Sequence, residues 1–397
     1  MRRWLILTVL TWTWACSEGP ASDPLTVTRS EVGDTVVVVS GGSPPVIEPV
    51  TMRTFWRSGE LEEPRSLAYS DGVFLLGDPT RIHILPLSGG PALTLGQDGE
   101  GPGEFRSIRS VGFGPDGSLL VLDGTLHRLS YFDRSGDLQR SVNVPVERPY
   151  LNPTRTGQSL IPWDGGILTT RSGFTPSDRT ARVALVWLDV EADTMAVLET
   201  WEDVQRERRG DFVVSPRTFP ARPIFGSGKG GRVASGDGLD YCFLLRPSPD
   251  QTVSRVCREW SRVEVARGIR SPDLDVIDDP RRRDLVRNII DVQDPGDLLP
   301  SYDALRFGEQ GEVWVGTVGP ELAHIHPMVL SRRPDLGPRQ RNWDVFDDEG
   351  RLKATVKLLS TFDPRVMLNE RVFGFLELPT GEVVVGEAVF QGDIVGG

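Results

Sequence analysis

One seven-residue phrase recurs six times along the 397 residues of this chain. The copies are GVFLLGD from Gly72, GSLLVLD from Gly117, GGILTTR from Gly165, GRVASGD from Gly231, GEVWVGT from Gly311 and GEVVVGE from Gly381. Each opens on glycine and places an apolar residue two positions later. Most place another two beyond: Phe74 and Leu76, Leu119 and Val121, Val313 and Val315, Val383 and Val385. That alternation describes a β-strand with one buried face, and the glycine supplies the positive φ of the turn before it. A turn and strand of this size cannot bury its own face. Six copies therefore require six similar sheets packed side by side, as in a propeller or solenoid. The spacing predicts an all-β fold, a six-bladed β-propeller of four-stranded antiparallel blades with one short inserted surface helix.

Blade 2 is the clearest unit. Residues 108–113 form its inner strand, 118–122 its second, 129–133 its third and 138–144 its outer strand, with turns at PDG and RSG between them. Blades 1, 3, 4 and 5 are expected near 51–95, 157–200, 222–265 and 302–360, the last interrupted by a loop at 319–341. Blade 6 is expected to start near Arg371. Only about ten residues follow GEVVVGE, room for one more strand, and a ring cannot leave that sheet edge open. The N-terminal run DTVVVVS at 34–40 is expected to supply the missing outer strand. The helix lies in DPRRRDLVRNIID, with Asp279 as N-cap and Pro280 as first residue. Leu285, Val286, Ile289 and Ile290 form its apolar stripe. Arg281, Arg282, Arg283 and Arg287 read as its solvated face. Cations near a helix N-terminus oppose the macrodipole, so carboxylate partners are expected close by.

The formal net charge of −12 and pI near 5.0 exclude a nucleic-acid partner, which needs a basic footprint. Arg2 and Arg3 precede the apolar run WLILTVLTW, too short to span a bilayer, and Ala15–Cys16 follows. Residues 1–15 are expected to be a signal peptide, of lipoprotein type if Cys16 is lipidated, or an ordinary cleaved signal with an incidental cysteine. SEGPASDP makes 16–24 a polar tether, and 25–397 the propeller. The protein is then extracytoplasmic and monomeric, touching membrane through a lipid anchor only, or secreted. Cys242 and Cys257 lie in two strand-like runs joined by RPSPDQ, in register for a cross-strand disulfide that an oxidising compartment permits.

Chemical motifs are sparse. Gly99, Gly101 and Gly103 lack the Lys-Ser/Thr of a phosphate loop and precede a strand, so they read as a connection between blades. His324 and His326 in HIHP would share one strand face as metal ligands, or belong to a polar insertion. Asp78, Asp123, Asp237 and Glu387 end the second strand of four blades. They form either a carboxylate ring for a divalent cation or basic ligand, or turn caps paired to Arg81 and Arg128. No nucleophile–base signature is present.

The stretch LGQDGEGPGEF–SIRSVGFGPDGSLLVLD–LHRLSYFDRSGDLQRSV resembles an NHL repeat, matching at Phe105, Asp116, Gly117, Asp123, His127, Arg128, Phe132, Asp133 and Gly136. The whole chain resembles the bacterial secreted six-bladed β-propeller lipoproteins, of which LLPSYDALRFGEQGEVWVG after a helix is typical. The resemblance implies a ligand-binding ring, with lyases and lactonases a minority among NHL-like propellers. The expected function is a binding module of the cell envelope for a protein, peptide, glycan or small molecule, without a cofactor. The alternative is a metal-dependent hydrolase or lyase using Ca or Zn at the central channel.

Overall fold

In the computed structural model of the chain all six repeat-leading glycines have left-handed backbone, with φ from +71° at Gly165 to +89° at Gly311. The structure describes residues 24–32, 35–59, 61–144, 152–153, 160–175, 180–189, 195–202, 207–209, 212–215, 217–219, 222–247, 251–266, 269, 274–275, 277, 279–291, 293–294, 296–324 and 339–394. The expected signal peptide, Cys16 and His326 lie outside them.

Six sheets follow one another along the chain and close into a ring. Blade 1 comprises Ser66–Ser70, Val73–Gly77, Ile82–Pro86 and Leu93–Leu95. Blade 2 comprises Ile108–Phe113, Leu119–Asp123, Arg128–Phe132 and Leu138–Asn143. In blade 3 the inner strand is split into Asn152–Pro153 and Ile161–Trp163, both paired to Gly166–Thr175. Thr180–Asp189 and Met195–Glu202 complete it. Blade 4 holds Ile224–Gly228, Arg232–Gly236, Cys242–Arg246 and Ser254–Arg258, and blade 5 Tyr302–Phe307, Val313–Thr317, Gln340–Phe346 and Leu352–Leu359. Blade 6 begins at Phe362–Leu368, ahead of the expected Arg371, and continues through Arg371–Glu377 and Val383–Val389. The first strands of the blades meet around one axis.

Each gap between blades holds its own apolar core. In blade 2, Leu119 and Val121 pack toward blade 1 while Leu120 and Leu122 pack toward blade 3. All five residues of Leu119–Asp123 are buried. The repeat strands are therefore covered on both faces, not on one. Period two survives because alternate side chains serve different neighbours. Blades 5 and 6 share the core that contains Trp314 and Trp343, both fully buried.

Four N-terminal strands, β1 (Thr26–Val32), β2 (Thr35–Gly41), β3 (Val46–Ile47) and β4 (Thr51–Trp56), run along the outer edges of three blades in succession. The valine-rich β2 does not complete blade 6. It lies parallel to Ser254–Arg258 of blade 4, with Val36 opposite Ser254, and β1 folds back on its other edge. An unbroken apolar run suits a strand with neighbours on both sides and a parallel partner. β3 adds to blade 5. The strand that closes blade 6 is β4, antiparallel to Val383–Val389 with Glu387 opposite Arg53. Residues 51–56, expected in blade 1, thus belong to blade 6.

Helix α1 (Pro280–Ile290) starts as expected: the Asp279 carboxylate accepts from the Arg281 N–H at 2.9 Å. Val286 and Ile290 bury against Leu274 and Ile277. Arg283 finds Asp275 at 3.6 Å and Arg287 finds Asp284 at 3.1 Å. Cys242 and Cys257 stand directly opposite in blade 4 and form a disulfide.

Candidate functional site

The expected acidic ring is not at the axial cavity; of its four members Asp237 lines a separate cavity on the outside of blade 4, with Arg222 and Arg255. Asp123 pairs with Ile108, the first residue of its inner strand, and Asp78 follows Gly77, which pairs with Ser66, again the first. The axial cavity lies at the other ends of these strands, by Tyr69 and Phe113. In blade 2 five residue steps of strand, Ile108 to Phe113, separate the two levels, roughly 17 Å at 3.3–3.4 Å per residue, whereas in blade 1 the lining runs from Leu67 to Ser70. The Asp78 carboxylate accepts from the N–H groups of Glu62 and Glu63 at 3.1 and 2.7 Å. Burial pushes its pKa up, against the pull of those two amides. Asp123 accepts from four N–H groups, those of Arg106, Ser107, Thr125 and Leu126, at 2.7 to 3.0 Å. Arg128 is not the partner of Asp123. It donates to the carbonyls of Glu100, Gly101 and Glu104, bracing the glycine-rich connection. Asp237 accepts from the Leu239 N–H in its own turn.

Glu387 belongs to neither level. GEVVVGE is the third strand of blade 6, whereas the other five copies are second strands. Glu387 lies inside that strand, fully buried, accepting from Arg53 Nε at 2.8 Å and Arg371 Nε at 2.5 Å. It locks β4 to the ring. His324 is exposed and ends a 3-10 turn, Pro320–Ala323, so it sits on no strand. Among the described residues no three His, Cys, Asp or Glu side chains gather as metal donors.

What the fold does gather at the axis is arginine. A cavity of about 320 Å³ is lined by the inner strands of all six blades. The strands crowd there because they carry glycine. A Cβ on Gly112 would stand 2.3 Å from the Leu160 carbonyl, and one on Gly226 would stand 2.9 Å from that of Leu305. Into this space the inner strand of blade 5 brings Arg306 and that of blade 6 brings Arg365. Their side chains are 17% and 11% exposed. Both reach Asp363. Arg365 donates to Oδ2 at 2.5 Å, and Arg306 meets Oδ1 only at 3.4 Å. Arg306 also donates to the Leu305 carbonyl at 3.0 Å, and its buried Nε has no partner among the described residues.

The charges respond to this crowding. Burial and then the neighbouring Arg365 push Arg306 down to about 10, so it remains a cation at neutral pH. Burial acts to raise the Asp363 carboxyl, but Arg365, Arg306 and Arg341 outweigh it and hold the group below its ordinary value. Arg341 is itself paired with Asp303 and lies 4.7 Å over the Trp343 ring. At the rim Lys229 pairs with Glu309. Lys229, Arg306 and Arg365 against Glu309 and Asp363 leave one positive charge in excess, within a chain of net charge −12. Tyr69, Phe113 and Phe307 give the cavity aromatic lining.

Sequence reasoning passed over both arginines. Arg306 stands in YDALRF, and the rule that the first strand of a blade faces the axis would have placed it there. Arg365 was hidden by the late start assigned to blade 6.

Fold and site together define a six-bladed β-propeller with a cationic axial channel. No family model matches the chain, and no curated protein matches it in sequence. Among solved structures it is similar to a member of the DUF4221 family from Bacteroides vulgatus, at 9% identity and TM-score 0.45, over 86% of this chain and 97% of that one. It is similar to a calcium-binding protein, regucalcin, from Agrobacterium tumefaciens, at 11% identity and TM-score 0.43, over 88% and 97%. A streptogramin B lyase aligns at 10% identity and TM-score 0.40, over 86% and 98%. No activity follows from likeness at this level.

Proposed function

We propose that this protein is a binding module whose axial channel receives a small ligand or the end of a peptide or glycan. The observation that supports it is the cavity itself. All six blades contribute to it, it has the size of a small-molecule site, and it mixes aromatic surface with charged groups. The rival, a metal-dependent hydrolase or lyase, needs oxygen donors in the channel. The side chains facing it include two guanidiniums that would repel a divalent cation. We place the protein outside the cytoplasm, which the disulfide supports, and propose a tether through Cys16 from the layout of the N-terminal segment. Among the described residues no helix is long and apolar enough to cross a membrane.

The test is native mass spectrometry of protein incubated with a small-molecule extract of the cell envelope, beside a Ser227→Trp variant that fills the channel. Wild type is expected to retain a small adduct that the variant loses. An adduct equally retained by the variant overturns the channel as the site. Stoichiometric calcium or zinc in the purified protein, removable by chelator with loss of a hydrolytic or lyase activity, favours the rival. A membrane-bound protein that Cys16→Ser releases in folded form supports the tether.

A further inference from the structure

Among the described residues two guanidiniums share the Asp363 carboxylate, and Arg306 is the one it serves less well. Asp363 satisfies Arg365 well, at 2.5 Å, and Arg306 poorly, at 3.4 Å. The Arg306 Nε is buried without a partner among the described residues, as is that of the paired Arg341, so it is the long contact to Asp363 that sets Arg306 apart. A buried cation that lacks full pairing costs stability unless another anion completes it. The chain had the means to avoid this cost, since it is acidic overall and pairs Lys229 and Arg341 one to one. Arginine also differs from lysine in presenting a planar fork that matches carboxylate and phosphate oxygens two at a time. The same cavity is lined by the aromatic rings of Phe307, Tyr69 and Phe113, from blades 5, 1 and 2.

We infer that Arg306 and Arg365 form an anion subsite in the channel, and that the ligand carries a carboxylate or phosphate on a small apolar or aromatic body. This rests on the channel being the binding site. The anion takes its hydrogen bonds chiefly from Arg306, while Asp363 keeps Arg365 in place and limits affinity by like-charge repulsion. The apolar body lies against the aromatic wall. The carboxylate and phosphate forms share this chemistry, and the experiment separates them.

Three probes of one ring size serve: benzoate, phenyl phosphate and neutral benzamide, titrated against folded protein by ligand-observed NMR. Benzoate or phenyl phosphate is expected to bind at least tenfold more tightly than benzamide, and the tighter of the two names the headgroup. Arg306→Gln is expected to lower anion affinity about tenfold or more, the scale of one charge-assisted hydrogen bond. Benzamide binding should not change. Arg306→Lys keeps the charge, loses the fork and should recover only part. Asp363→Asn should raise anion affinity, an effect that a purely structural carboxylate would not produce. If Arg306→Gln fails to fold, the Asp363→Asn and Arg306→Lys arms still decide. Equal binding of all three probes, lost in Ser227→Trp, overturns the anion subsite and leaves the channel reading standing. No binding of any probe at millimolar concentration overturns the anion subsite, and the channel reading is then decided by the adduct that Ser227→Trp keeps or loses. Anion binding that is indifferent to Arg306→Lys and Asp363→Asn also overturns the subsite.

Discussion

Blades 2 and 6 are built to the same plan by opposite routes. Blade 2 takes four strands from one unbroken stretch, Ile108–Phe113 through Leu138–Asn143, joined by short turns. Its central strand is braced by one buried acid, Asp123, which satisfies four backbone amides within about seventeen residues of itself. Blade 6 takes three strands from the far end of the sequence and its outer strand from β4, so its registry rests on pairing across more than 300 residues. Its buried acid, Glu387, holds side chains, Arg53 and Arg371, and not backbone. Where the chain is continuous, charge fixes the path of the loops. Where the chain is interrupted, charge fixes which strand belongs where. Pairing of this second kind costs loop-closure entropy that blade 2 never meets.

The largest test removes the distant partner. A chain that begins at residue 58 lacks β1 to β4, leaving edges open on blades 4, 5 and 6. It is expected to show no cooperative thermal transition by circular dichroism. A chain that lacks only β1, whose seven residues are all exposed, should melt within about 4 °C of the full protein, a loss of about 1 kcal/mol at this size. A ring that melts normally without β4 breaks the contrast between the two blades.

Next is the brace of blade 2. Asp123→Ala strands four buried or half-buried N–H groups and should cost about 3 kcal/mol, read by urea denaturation. Hydrogen exchange should place the loss first at residues 105–126. Third is the lock of blade 6. Glu387→Ala should cost about 2 kcal/mol. That is less than the ~3–5 kcal/mol of a fully buried pair, because the Arg53 side chain is 63% exposed and regains water. Its exchange signature should be loss of protection at β4 alone.

The smallest effect is acid fraying of the blade 2 turns. Hydrogen bonds from the Ser118 and Ser135 side chains are the first cause holding Asp116 and Asp133 below the ordinary 3.8. A carboxyl depressed on folding contributes stability that is present above the unfolded value and lost as pH falls through the lower folded value. As pH falls through and below the ordinary carboxylate range, amide protection at the turns 115–118 and 133–137 should decline. The corresponding turns of blade 6, at Asn369–Glu370 and Thr380–Gly381, carry no aspartate and should change less.

The same contrast explains what could be read from sequence. Blade 2 was legible strand by strand, because every signal it needs lies within 40 residues. The disulfide and the helix cap were legible for that reason too. Blade 6 was misphased. Its inner strand, FDPRVML, has no leading glycine and carries Pro364 and Arg365 mid-strand, which breaks the alternation. The most conspicuous valine run, in β2, looked like the closing strand, but β4 with its mixed TMRTFW fits an outer edge that is half in water. The central channel was expected as a site, but its lining went unread, since Arg306 and Arg365 come together only once blade 6 starts at Phe362. The recurrent acids drew attention because they repeat. Asp78 and Asp123, which recur at one place in their blades, serve the blade, and the arginines that line the axial cavity do not recur.

The belt formed by β1 to β4 also sets a timetable. During synthesis these strands precede the blades whose edges they cover, and those edges come into being in turn, in blade 4 for β2, blade 5 for β3 and blade 6 for β4. The strand that β4 pairs with ends at Val389, roughly 330 residues later, and at about 5–20 residues per second that is a delay of roughly 15–65 s. Blades 1 to 3 can assemble meanwhile from what has already emerged. Until Ser254–Arg258 is made, roughly 215 residues after β2, the valine-rich β2 has no native partner outside its hairpin with β1, so the early chain is a guest for whatever holds unfolded segments, and the ring closes only once Val389 has followed.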